Sequence, residues 1–131
     1  MKKTGILNQP ISRVIAGLGH TDTLVIADAG LPIPAETERI DLALTKGIPS
    51  FLDTLRVVLS EMRIEEVIIA EEMTTVSPDL YQDIQKIIGD IPIEFCTHTI
   101  FKVMTAESEA VIRTGEFTPY ANIILVSGVV F

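Results

Sequence analysis

Two histidines, His20 and His98, are the only side chains whose ordinary pKa lets them both give and take a proton near neutrality. Apolar periodicity puts His20 just past the end of a helix, where the dipole favours the charged imidazolium and suits an acid. It puts His98 between a strand end and a helix start, where the dipole favours the neutral ring and suits a binding or accepting group. The bland alternative is that His20 satisfies helix carbonyls and His98 decorates a loop. Asp28 closes an apolar strand, the place where open α/β sheets collect ligands, although Asp28 and Gly30 can also form a plain Asx turn. In Thr118-Pro119-Tyr120-Ala121-Asn122 a phenol and an amide stand together ahead of the last strand, able to hydrogen-bond a polyol or to serve as an ordinary loop. If that strand runs antiparallel to the others, its start shares a sheet edge with Asp28 and His98, and the candidates converge.

Other groups suggest less chemistry. Glu71 and Glu72 are adjacent on an expected strand end, with no His-x-x-x-His pair beside them, so they read as a solvated acidic edge rather than metal ligands. Gly17 and Gly19 precede the first strand and make no phosphate-binding turn after it. Cys96 ends a strand as a lone thiol and receives no role.

The elements that must hold these groups follow from periodicity. Ile6, Leu7, Ile11, Val14, Ile15 and Leu18 recur at helical spacing, with Asn8 as cap and Gly19 as stop. Leu24 to Ala27 is an apolar strand, and Arg39 to Leu44 alternates as a half-buried one before the turn at Lys46-Gly47-Ile48-Pro49. Ser50 and Asp53 resemble a capping box ahead of the face Phe51, Leu52, Leu55, Val58, Leu59 and Met62. A strand at Glu66 to Ala70 and a helix opened by Ser77-Pro78 and ended by Gly89 come next. A strand from Ile91 to Cys96, a helix from His98 to Met104, and strands at Ala110 to Arg113 and Asn122 to Val126 complete the pattern. The alternation predicts an α/β fold: one three-layer domain over residues 1–131, with a mostly parallel, mixed central sheet and helices on both faces.

Composition excludes more than it names. Ten basic against eighteen acidic residues give a net charge of −8, which repels nucleic acid and anionic lipid. No apolar run nears the roughly 20 residues that cross a bilayer, and polar residues break the only stretch that imitates a signal peptide. One cysteine allows no intrachain disulfide, which makes the cytoplasm the default compartment.

Residues 19–34, GHTDTLVIADAGLPIP, closely resemble the D-ribose pyranase family, as do residues 39–55, RIDLALTKGIPSFLDTL, residues 112–128, IRTGEFTPYANIILVSG, and the opening MKKTGILN. The resemblance implies an isomerase that interconverts the pyranose and furanose forms of D-ribose. His20 matches the catalytic histidine, and Asp28, His98, Lys102, Tyr120 and Asn122 match sugar-binding positions. It implies no cofactor and no metal, and a homo-oligomer, a decamer of two pentameric rings with sites near subunit boundaries. An L-fucose-type mutarotase and a non-catalytic sugar-binding accessory of ribose transport are the alternatives.

Overall fold

The computed structural model describes residues 1–131. A six-stranded sheet in the order β2-β5-β1-β6-β3-β4 forms its centre. The strands are β1 Thr23–Ala27, β2 Glu38–Asp41, β3 Ile64–Ala70, β4 Ile93–Cys96, β5 Ala110–Arg113 and β6 Ile123–Ser127. All neighbours pair parallel except β6, which runs antiparallel between β1 and β3. The carboxyl ends of β1 and β4 and the start of β6 therefore share one edge, as the conditional argument from sequence required.

The side-chain period of two splits the sheet into two cores. On one face Leu24, Ile26, Ile112, Ile123, Leu125, Val67 and Ile69 pack beneath helices α1 (Gln9–Gly17), α2 (Phe51–Leu59) and α4 (Pro78–Ile88). On the other, Val25, Val111, Ile124 and Ile68 meet Phe101 of the short helix α5 (His98–Met104) and Leu31 of the proline-rich connection. This is the expected α/β sandwich with a thinner second layer. α5 leaves Ile100 and Val103 exposed. No helix is long and apolar enough to cross a membrane.

Local chemistry explains the boundaries. The Asn8 side chain accepts from the Ile11 N–H and starts α1 there, so Ile6 and Leu7 precede the helix instead of opening it. The Ser50 hydroxyl accepts from the Asp53 N–H, while the Asp53 carboxylate takes Arg56 rather than closing a reciprocal box. The second strand is shorter than its alternation suggested. It ends at Asp41, because the Asp41 carboxylate accepts from the Ala43 N–H and turns the chain. One helix was not anticipated, α3 at Glu72–Val76, which buries Met73.

Candidate functional site

The carboxyl edge of the sheet is cross-braced by polar groups at the end of β1. The Asp28 N–H donates to the Asn122 side-chain oxygen at 2.9 Å, and the Asn122 amide donates back to the Asp28 carboxylate at 2.9 Å. The second Asp28 oxygen takes the Gly30 N–H, so the Asx turn foreseen from sequence exists within the cluster rather than as an alternative to it. Asn122 is 1% exposed and has no room to swing away. The buried Thr114 hydroxyl donates to the Ala27 carbonyl, and the Ala29 N–H donates to the Glu116 carbonyl. Three successive residues of β1's exit are thus fixed by chain segments from β5 and β6, the kind of preorganisation a binding site needs.

His98 opens α5. Its backbone N–H donates to the Glu72 carboxylate at 2.7 Å, and the Thr97 hydroxyl accepts from the Ile100 N–H. Glu72 is therefore not part of a solvated edge: it caps a helix from the neighbouring α3. The His98 ring meets Tyr120 edge-on, centroids 5.0 Å apart, and lies nearly parallel to Phe101 at 6.4 Å. Its Nδ1 is buried and meets no hydrogen-bond partner within the chain, so it is free to bond a ligand hydroxyl. Lys102 follows four residues later on the same helix face, half-buried. Tyr120 is held in the left-handed region at φ 61°, and the Ser77 hydroxyl anchors its turn by donating to the Pro119 carbonyl.

Beside Asp28 lies an open cleft of about 410 Å³ lined by Gly30, Arg113, Glu116, Thr118 and Pro119. Arg113 donates to the Ala29 carbonyl and to both Asp41 oxygens. Burial raises the pKa of the Asp41 carboxyl, but the hydrogen bonds from Ala43 and Arg113 and the charges of Arg113 and Arg39 outweigh it and hold it below the ordinary value. Glu116 accepts from the Phe51 N–H and the Thr118 hydroxyl, tying α2 to the site loop. Sequence reading missed Arg113, Glu116 and Thr114. Each looks like a common surface residue until the sheet order brings its partners together.

His20 stands apart. It precedes β1 whereas Asp28 follows it, and the five-residue strand at about 3.3 Å per residue places them roughly 17 Å apart. Asp28 cannot hold His20 within one chain. The His20 ring is instead paired through Nε2 with the Glu65 carboxylate at 2.9 and 3.1 Å. It borders a second cleft of about 420 Å³ together with Arg63 and Val129 to Phe131. Cys96 is half-buried, and burial followed by the charges of Glu94, Glu72 and Glu71 raises its thiol pKa, against a nucleophilic role. No cluster of three or more His, Cys, Asp or Glu side chains could hold a metal ion.

A model of the RbsD / FucU transport protein family matches residues 1–130. A protein from Coprothermobacter proteolyticus named D-ribose pyranase is 63% identical over 131 residues, covering both chains in full. The Bacillus subtilis RbsD structure, solved in complex with D-ribose, superposes with a TM-score of 0.97 at 48% identity over the whole of both chains. The Streptococcus pneumoniae fucose mutarotase, solved with L-fucose, superposes at 0.80 with 22% identity over 95% of each, a likeness of fold alone.

Proposed function

The chain belongs to the RbsD / FucU transport protein family, and from that premise we propose that it is an intramolecular isomerase interconverting the pyranose and furanose forms of D-ribose in the cytoplasm, in support of ribose catabolism. The observation that carries the reading is the full-length match, at 63% identity, to a protein named D-ribose pyranase. Ribose is favoured over L-fucose because the relatives above half identity bear the ribose name, while the fucose relative stands at 22%.

The reaction needs no net oxidation. A proton goes to the ring oxygen as its bond to the anomeric carbon breaks. The anomeric hydroxyl gives up its proton and becomes the aldehyde carbonyl. After rotation another hydroxyl adds to that carbonyl, losing its proton as the oxygen regains one. Positioned acids and bases supply about 10²–10⁴-fold to such steps. His20 is the acid in this reading. Asp28, Asn122, Tyr120 and Lys102 hold the hydroxyls, and the unpaired His98 Nδ1 is the group available to accept the anomeric proton.

Since His20 and Asp28 lie at opposite sheet edges, this site is completed between copies, His20 of one chain facing the carboxyl edge of the next. A ring satisfies such a head-to-tail contact. A decamer of two pentameric rings is the assembly we propose, with exposed Leu7, Val57, Ile100 and Val103 as apolar surface for contacts. The chain forms one domain in this arrangement.

Saturation-transfer NMR on equilibrated ribose tests the reading: wild-type protein speeds pyranose–furanose exchange and His20→Ala does not. No acceleration by wild type overturns the function, equal acceleration by both overturns the role of His20, and a stronger effect on L-fucose moves the assignment to the sister activity.

A further inference from the structure

Resting on the reading of His20 as the acid, we propose that Glu65 is its positioning residue: the Glu65 carboxylate accepts a hydrogen bond from Nε2–H, fixes the ring, and leaves Nδ1 as the nitrogen that faces the sugar. The backbone around His20 is well held. The Gly19 N–H donates to the Asp22 carboxylate at 2.7 Å, Thr21 sits at φ 72°, and Thr21 and Asp22 exchange hydrogen bonds with Ser127. The ring is not: its side chain is 54% exposed, and Glu65 is the group that hydrogen-bonds it.

The placement of Glu65 is a property of the sheet. The β3–β6 register pairs Ile64 with Ser127 and Glu66 with the very next residue, Val126, so Glu65 is the extra residue of a bulge. Bulges re-aim a side chain out of the ladder. Gly128 completes the arrangement. Its N–H donates to the Arg63 carbonyl, and a Cβ at this position would stand 3.3 Å from the Glu65 Cβ.

An imidazole bonded to a carboxylate through one nitrogen carries its proton there in the neutral form, which fixes the tautomer. In the charged form the second proton is on Nδ1. Ring opening then breaks the Nδ1–H bond and forms the sugar O–H bond as the C–O bond cleaves. The neutral ring stays bonded to Glu65 through Nε2–H, and Nδ1 can take a proton back on reclosure.

Glu65→Ala and Glu65→Gln, each in the full chain, test the assignment. Glu65→Ala is expected to lower the exchange turnover roughly tenfold or more with KM for ribose unchanged within about twofold, the signature of an interaction used in the transition state. Glu65→Gln, whose amide oxygen still accepts Nε2–H, is expected to recover most of that loss. Nitrogen-15 NMR of wild type at high pH should find neutral His20 as the Nε2–H tautomer, and Glu65→Ala should show a mixture. Wild-type exchange in Glu65→Ala while His20→Ala is slow overturns the role of Glu65 and leaves the function standing. A neutral His20 protonated on Nδ1 in wild type overturns it as well. Wild-type exchange in both variants fails His20 itself.

Discussion

The two edges of the sheet hold their histidines in opposite ways. At the carboxyl edge His98 starts a helix capped by Glu72, packs against Tyr120 and Phe101, and adjoins the Asp28–Asn122 clasp, whose amide is almost fully buried. At the amino edge His20 rides on an exposed turn and owes its orientation to one carboxylate, itself 42% exposed. One edge is complete within the chain. The other is a projecting pair, and an exposed pair of this kind is worth at most about 1 kcal/mol until a neighbour excludes water from it. The difference fits the division of labour proposed above, in which the buried edge binds the sugar and the projecting edge reaches into a neighbour's site.

Mixing inactive partners is the most severe way to break that division. His20→Ala and Asn122→Ala oligomers are each expected to lose about 10²-fold or more of the exchange rate. Co-assembled from a denatured mixture, a head-to-tail ring regains sites that pair an intact His20 with an intact Asn122, roughly a quarter of them for equal amounts. Exchange that stays at the level of the single variants would mean that both edges act within one chain.

The next effect in size falls on the carboxyl edge alone. Gly115 is buried where the site loop crosses the Thr45–Ile48 turn, and a Cβ there would lie 2.4 Å from the Thr45 carbonyl oxygen and 2.6 Å from that of Ile48. These are backbone atoms that cannot swing aside. Gly115→Ala is expected to cost about 2–4 kcal/mol, read as a lowered urea midpoint. Gly128→Ala, which meets Glu65 at 3.3 Å, should leave stability nearly intact and act on exchange instead. Equal losses of stability in both would erase the contrast between a packed and a projecting edge.

How much of this was legible before the fold depended on how local each cause is. Caps at Asn8 and Ser50 and the stop at Gly89 are written within a turn of the helices they bound, and the helix His98–Met104 follows its apolar spacing. The convergence of Asp28, His98, Tyr120 and Asn122 needed one added fact, the antiparallel direction of β6. Pairing partners distant in sequence were not legible. Glu72 meets His98 across 26 positions and Glu65 meets His20 across 45, and nothing in a glutamate's neighbours along the chain marks it as the one that reaches a histidine. The distance between His20 and Asp28 was hidden for a related reason: eight residues apart in sequence reads as near, and a strand between them makes it far.

A smaller effect separates binding from architecture at the carboxyl edge. Asn122→Ala removes both hydrogen bonds between Asn122 and Asp28 at once and leaves a backbone N–H and a carboxylate oxygen without their bonds, at a cost of about 1–3 kcal/mol. Asn122→Asp keeps the acceptor for the Asp28 N–H but sets two carboxylates against each other. It is expected to be the less stable of the two above pH 6 and to gain on Asn122→Ala as pH falls, in parallel thermal melts. Equal midpoints at every pH would mean that the clasp is not a close pair.

The smallest effect tests whether like charges near the amino edge carry a stability cost that the carboxyl edge avoids. Glu66 follows Glu65 and shares a hydrogen bond with Glu94 on the adjacent strand. That bond, then burial, then the charges of Glu94 and Glu65 raise its pKa above the ordinary 4.5. A carboxyl with a raised folded pKa holds its proton more tightly folded than unfolded. Its contribution to stability is therefore full below the unfolded value and is lost as pH rises through the folded one. Glu66→Gln removes the titration and keeps a donor for Glu94. It should match wild type near pH 4 and exceed it at pH 7 by a few tenths of a kcal/mol, the scale left after solvent screening of exposed groups. The reverse order, with the variant weaker at pH 7, would mean that Glu66 is stabilised as an anion. The acidic crowding beside Glu65 would then be no burden, and the two edges would not differ in the stability cost of like charges.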